Sequence, residues 1–251
     1  MPLGLYLAAE GALVQQQRLE VIANNMANVN TAGFKRDVAT FQARFAEAIQ
    51  QGQDYPGSYS VNNVGGGVKM IETLTDYSPG ALRHTSMPTD FAINGEGFFT
   101  VRSPQGETFL TKAGNFVIDA QGRLLTQTGD FAVLDDGGAP IQIDGTLPFE
   151  VEAGGRIVQD GSAQAIGLVA PQSLGDLVKV GSNMFRSLGP TTQVAAEARD
   201  VRQGFLEDSG VNSTREMMAM IETTRAFEAN TKLIQHQDGM ISGLIGRLLT
   251  A

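Results

Sequence analysis

The chain carries little material for side-chain chemistry. His84 and His236 are its only imidazoles, and cysteine is absent. Disulfides, thiolate metal sites and Cys nucleophiles are thereby excluded. His84 lies in the polar run "RHTSMPTD" and His236 follows Ile234 closely, neither with a second His at ligand spacing. A metal normally needs three or four convergent groups. Ser209 and Ser213 have no partner base within motif distance. Asp135 and Asp136 fall in the glycine turn "DDGG". Solvated turn carboxylates are expected there, since an acid/base pair needs contrasting environments. "INGEGFF", residues 93–99, begins like a G-x-G-x-x-G phosphate loop, but Thr100 replaces the third glycine and apolar strand-like segments follow. It reads as a turn between strands. "VGGGVKM" lacks the Gly-Lys-Ser/Thr of a P-loop. No enzyme site, cofactor, metal or small-molecule substrate is expected.

Two clusters could make contacts instead. "MMAMI", residues 217–221, reads either as an adaptable binding face or as coiled-coil core. Asn24, Asn25, Asn28 and Asn30 precede "TAGFKR". Asparagine competes for backbone hydrogen bonds and is poor within a helix. The cluster is either a capped helix end with Gly33 at C′ or a contact surface.

The elements that must position these residues show two periods. Leu5, Ala12, Leu19 and Met26 recur every seven residues, widened by Ala8, Ala9, Ile22 and Ala23. Met220, Phe227, Ile234, Ile241 and Leu248 repeat the pattern at the far end. Both predict helices with coiled-coil-like seams. Val38, Phe41, Phe45 and Ile49 predict a short amphipathic helix stopped by Gly52, followed by a Gly/Ser/Asn connector. Between 69 and 185 the period becomes two, with short apolar segments such as "FFTVR", "TFLT" and "RLLTQ". "SPQG", "DAQG" and "DDGG" supply turns. The fold class is therefore α+β: N- and C-terminal helices forming a coiled-coil-like inner domain, with a central all-β domain of many short antiparallel strands. The divisions are 1–34 (helix), 35–68 (helix and connector), 69–185 (β), 186–211 (connector) and 212–251 (helix). A lone helix pair is marginal and leaves apolar surface, which points to contacts between copies.

The totals agree. Apolar residues make up 42% of 251 residues, enough for a packed core. A formal net charge of -9 argues against nucleic acid. No apolar run reaches the about eighteen residues of a transmembrane helix. The N-terminus has no basic n-region, the first cation being Arg18, so no cleaved signal peptide is expected.

Four blocks then resemble one family. "VIANNMANVNTAGFKR" is similar to the N-terminal motif of bacterial flagellar rod and hook proteins, close to "ANNLANVNTxGFKR". "DFAINGEGFFTV" resembles their "DxAIxGxGFF", and "LTKAGNFVIDAQGRLLTQTGDFAVL" the segment after it. "QGFLEDSGVNSTREMMAMIETTRAFEANTKLI" resembles their C-terminal motif, with Gly210, Thr224 and Phe227 departing mildly where Asn, Gln and Tyr are usual. Length and "DYSPGALRHTSMPTDFAI" favour the proximal-rod type, with the distal-rod type next. The resemblance implies a structural subunit of the basal-body rod that transmits torque from motor to hook. It implies export through the flagellar type III apparatus, a site crossing the periplasm, and rod and hook proteins or further copies as partners. A non-polymerising coiled-coil adaptor is the rival. The expected interface comprises Leu5, Ala12, Leu19, Met26, Met220, Phe227, Ile234, Ile241 and Leu248. To these the resemblance adds the amides of Asn24, Asn25 and Asn28, bonding neighbouring subunits or the connector.

Overall fold

The computed structural model describes residues 3–43, 49, 51–52, 55, 67–152 and 154–249. The chain forms two compact units. One comprises Met1–Ala27, Asp37–Asp76 and Asn212–Ala251; the other comprises Asn28–Arg36 and Tyr77–Val211.

Two long helices make most of the first unit. Helix α1 spans Leu3–Ala27, a tract rich in Ala, Leu, Gln and Glu, all good helix formers. Helix α2 spans Ser213–Leu249. It starts cleanly because Asn212 caps it: its Oδ1 accepts from the Arg215 N–H at 3.0 Å and its carbonyl accepts from the Glu216 N–H at 3.0 Å. Arg247 stands in the last turn, where a cation opposes the helix dipole.

The helices pack against each other and run antiparallel. A methyl group built on Gly4 would lie 2.7 Å from Gln237 Nε2, and one on Gly11 would lie 3.1 Å from Asn230 Nδ2. The α+β class is as expected, but the heptads drawn from apolar residues are not the tightest contact. Leu5, Ala12, Leu19, Met26, Met220, Phe227, Ile234 and Ile241 are half-buried. The Leu248 side chain lies outside the described residues. The most buried positions are Ala8, Val14, Ile22 and Asn25 on α1, and Glu216 and Thr223 on α2. Glycine on α1 lets the backbones approach along a neighbouring row, which a pattern of large apolar residues does not register.

Residues 36–43 are a correction. The expected amphipathic helix is instead strand β1, Arg36–Ala43, which pairs with β2, Val68–Asp76. Thr40 Oγ1 donates to the Glu72 carbonyl at 2.8 Å, and Thr75 Oγ1 donates to Asp37 Oδ1 at 2.9 Å. Val38, Thr40 and Phe41 suit a strand, and pairing with a remote segment overrides their helical spacing. Phe45 lies outside the described residues. Ile49 is helical, and Gly52 turns the chain at φ +71 with its N–H on the Ile49 carbonyl.

The second unit is built of short antiparallel strands. Its main sheet runs Leu177–Gly181, Met184–Ser187, Thr108–Thr111, Phe98–Arg102, Ala132–Val133, Leu124–Thr126, Phe116–Ile118, with Leu168–Pro171 and Thr191–Gln193 joined at its side. Phe91, Phe99, Phe116, Leu124, Ile141, Ile166 and Leu168 form its core. A smaller cluster gathers Phe98, Leu110, Leu177 and Phe185 under Tyr77. The three turns read from sequence are present: the N–H groups of Gly106, Gly122 and Gly138 donate to the carbonyls of Ser103, Asp119 and Asp135 at 2.9–3.0 Å.

Residues 186–211 also differ from expectation. They are not a bare connector, for Val201–Gln203 pairs with Phe91–Ile93 and Phe205–Glu207 with Leu82–His84. Strands of three residues are too short to show a period in the sequence.

Candidate assembly surface

The asparagine stretch divides between the two units. The side-chain amide of Asn25 makes two bonds inside the first: Nδ2 donates to the Asp37 carbonyl at 2.8 Å, and Oδ1 accepts from the Asp37 N–H at 2.9 Å. The amide thus copies a neighbouring β-strand for one residue of β1. Asn25 is 1% exposed, and of the two bonding partners expected for it the connector is the one it meets within the chain. Asn24 is exposed. Asn28 Oδ1 accepts from Thr31 Oγ1 at 3.2 Å in the turn after the helix.

That turn corrects the helix end. Helix α1 stops at Ala27, and Gly33 is not its C′ residue. Gly33 sits at φ +65, and a Cβ there would be 2.5 Å from the Lys112 carbonyl. Glycine is therefore needed both for the left-handed backbone and for the close approach. Its N–H donates to the Glu207 carbonyl at 2.7 Å. Asn183 Nδ2 holds the Ala32 carbonyl at 2.8 Å. Lys179 Nζ donates to the Lys35 carbonyl at 2.5 Å and lies 4.4 Å from the Phe34 ring centroid.

At the centre of this contact is an ion pair. Lys35 Nζ lies 2.7 Å from Glu207 Oε1, with side chains 1% and 2% exposed. Lys35 also donates to the Ser78 carbonyl at 2.9 Å, and Glu207 Oε1 accepts from the Gly80 N–H at 2.7 Å. Glu207 Oε2 is buried without a hydrogen-bond partner, so the pair is compensated on one carboxylate oxygen only. Nearby, Lys112 Nζ donates to the Gly95 carbonyl at 3.0 Å, using the loop of "INGEGFF". Burial pushes the Lys112 pKa down to about 8. The Glu207 charge opposes this, the Lys35 charge adds to it, and Glu96 opposes it again. Lys35, Glu207, Lys179 and Asn183 were not singled out in advance. Lone charges beside aromatic residues in "GFK" and "GFLE" were the available signal.

The groups first considered for chemistry do not converge. His84 packs against the Phe205 ring at 4.8 Å, and among the described residues no cluster of three or more His, Cys, Asp or Glu could hold a metal. Asp136 is more than a solvated turn residue: Oδ2 lies 2.7 Å from the guanidinium of Arg199, which is 5% exposed. A cavity of about 650 Å³ is lined by Asp119, Gln142, Asp144, Gln159 and Gln164 among others. Its amides are bonded to nearby backbone: Gln159 accepts from the Asp144 N–H and donates to its carbonyl, and Gln164 donates to the Gln142 carbonyl. Hydrogen bonds from the Thr146 hydroxyl and backbone N–H hold the Asp144 carboxyl below its ordinary pKa.

What the helices offer is apolar surface. Tyr6 and Leu13 on α1 are exposed, as are Met217, Met218, Ile221, Leu233, Met240 and Leu244 on α2. Exposed apolar residues in such number make α2 a candidate contact surface. No described helix is long and apolar enough to cross a membrane.

The chain thus combines two paired helices that carry exposed apolar residues with a unit of short antiparallel strands. The sequence comparisons agree in detail. Residues 5–35 match the family of flagella basal body rod proteins, 92–161 the D1 domain of the flagellar hook protein FlgE/F/G, and 202–246 the C-terminal domain of the flagellar basal body rod FlgEFG proteins. The chain is similar to the flagellar basal-body rod protein FlgF of Rhizobium meliloti, 36% identical and covering 99% of this chain and 98% of that one. It is also similar to the rod protein FlgG of Bacillus subtilis, 33% identical over 96% and 97%, and to FlgG of Borreliella burgdorferi, 31% identical over 94% and 95%. The chain belongs to the flagellar basal-body rod protein family. Its role is that of a structural rod subunit.

Proposed function

We propose that this subunit sits in the proximal rod and polymerises axially through its terminal helices, transmitting torque from the motor to the hook. Coiled-coil contacts between α1, α2 and the helices of neighbouring subunits would carry the adhesion. Contacts of this kind that do not close into a ring build a helical filament. The chain would reach the basal body through the flagellar type III apparatus and take other rod and hook proteins as neighbours. The observation that carries the proposal is the uncovered apolar surface of α2. Each large apolar side chain that assembly buries contributes about 1.5–3 kcal/mol. The 36% identity to FlgF, against 31% and 33% for the two FlgG relatives, supports the proximal position over the distal one.

The test replaces Met218 and Leu244, 68% and 62% exposed, by Asp. The variant should keep the wild-type circular dichroism and melting temperature, remain monomeric, and leave cells non-motile. Normal swimming with this chain as the only copy would sink the proposal. Immunogold labelling of isolated basal bodies separates the positions: label at the hook end would favour the distal reading.

A further inference from the structure

Beside the buried Ala8 and Ile22, the closest approach between α1 and α2 is made at glycine and polar residues. On α1 the facing row is Gly4, Gly11, Arg18 and Asn25; on α2 it is Gln237, Asn230, Thr223 and Glu216, each repeating every seven residues in opposite directions. Two of the facing pairs are fixed by distance, Gly4 with Gln237 and Gly11 with Asn230. The same step sets Arg18 against Thr223 and Asn25 against Glu216. Burial agrees, for Asn25, Thr223 and Glu216 are 1%, 0% and 1% exposed, the lowest values on either helix. Thr223 closes its hydroxyl onto the Ala219 carbonyl at 2.7 Å and so makes no demand on α1. Gln237 Oε1, and Gln15 Oε1 on the facing side of α1, are buried without a partner.

We propose that this polar row is a register and face lock. A side chain at Gly4 or Gly11 would press on the amide ends of Gln237 and Asn230, which would have to shift out of the contact. Rotating α1 by one residue would bring Leu5, Ala12, Leu19 and Met26 into the glycine row. It would then seat Leu5 on Gln237 and Ala12 on Asn230. Polar groups pressed on leucine without partners are strongly disfavoured. A single polar position in a helix pair is known to fix register at a cost in strength, and here Asn230 and Gln237 act one heptad apart. The lock determines which side of α2 turns to α1, and thereby which residues stay outside. Only the use of those outer residues rests on the rod proposal; the lock is a property of the single subunit.

The chain has no cysteine, so cross-linking is unambiguous. In the full-length subunit under mild oxidation, Gly4→Cys with Gln237→Cys should form an intrachain disulfide. Gly4→Cys with Asn230→Cys, one heptad away and about 10 Å along the axis, should not. Adding Thr223→Leu and Asn230→Leu to the first pair should cut its yield several-fold and let a rotated pair, Leu5→Cys with Gln237→Cys, cross-link. Thr223→Ala with Asn230→Ala removes the lock without adding bulk and should spread the cross-links in the same way if the leucine variant fails to fold. An unchanged pattern in the alanine variant would overturn the proposal, as would failure of the first pair in the otherwise intact chain. Cell motility, scored separately, reports on the rod reading.

Discussion

Replacing Asn25 by Ala tests whether the asparagine stretch acts within the subunit or between subunits. The substitution strips the partner from both the N–H and the C=O of Asp37. A buried backbone group left unpaired costs about 1–3 kcal/mol. The missing carboxamide leaves room for a water, which recovers part of that. A loss of roughly 2–3 kcal/mol is therefore expected. For a chain of this size that corresponds to a fall of about 5–10 °C in Tm, read from the helical signal at 222 nm. Asn24→Ala, at an exposed position, should stay within about 0.5 kcal/mol of wild type. Asn25→Asp adds a diagnostic of sign. Its carboxylate can accept from the Asp37 N–H but faces the Asp37 carbonyl, to which only the protonated form can donate. The folded state therefore binds the proton more tightly than the unfolded one, and stability must recover as pH falls toward the ordinary carboxylate range. The alanine variant should show no such recovery. If Asn25→Ala melts like Asn24→Ala and yet abolishes assembly, the amide works between subunits and the reasoning fails.

Two further outcomes follow from the charged contact in the second unit. Lys35→Met leaves the Glu207 carboxylate buried without its cation and should cost about 3–5 kcal/mol. Glu207→Gln in the same chain keeps an acceptor for the Gly80 N–H and should restore more than half of that, measured by urea unfolding. Lys112, with its pKa lowered from 10.5 to about 8, binds its proton more weakly when folded. Its favourable contribution is complete above the unfolded value of about 10.5 and disappears as pH falls through about 8. The urea midpoint should therefore rise between pH 8 and 10 relative to Lys112→Met, and an identical pH dependence in both chains would refute the assignment.

The parts that were legible in the sequence are those specified by neighbouring residues. Three glycine turns could be read because Pro, Asp and Gly have local backbone preferences. Both helices could be read because their periodicity persists over many turns. Strand β1 could not, because Val38 and Phe41 fit one turn of helix as well as a pleat, and the partner that decides is Val68–Asp76, far along the chain. The Lys35–Glu207 pair joins residues 172 apart, a separation at which a single sequence carries no pairing signal. The helix seam was legible in part, for Ala8 and Ile22 of its stripe are buried while Leu5 and Leu19 are half-buried. Hydrophobic period identifies the strips that want to leave water, and on α1 and α2 those strips are not the closest contact.

This last difference gives the apolar heptads a role the pattern alone did not. Had Leu5, Leu19, Phe227 and Ile234 closed fully on one another, the subunit would have buried its best adhesive groups internally. They are instead half-buried, while Met217, Met218 and Ile221 stand outside. A close contact of Gly, Asn, Gln and Thr gives up burial energy within the subunit and leaves the apolar rows uncovered. In a rod assembled as proposed, such uncovered apolar surface would destabilise the isolated subunit relative to the assembled one, since water is displaced only on contact with a neighbour. In "IANNMANVNTAGFKR" the same division of labour recurs. Asn25 and Lys35 are consumed in holding each segment to its own unit, and Met26, half-buried between them in sequence, keeps part of its surface exposed.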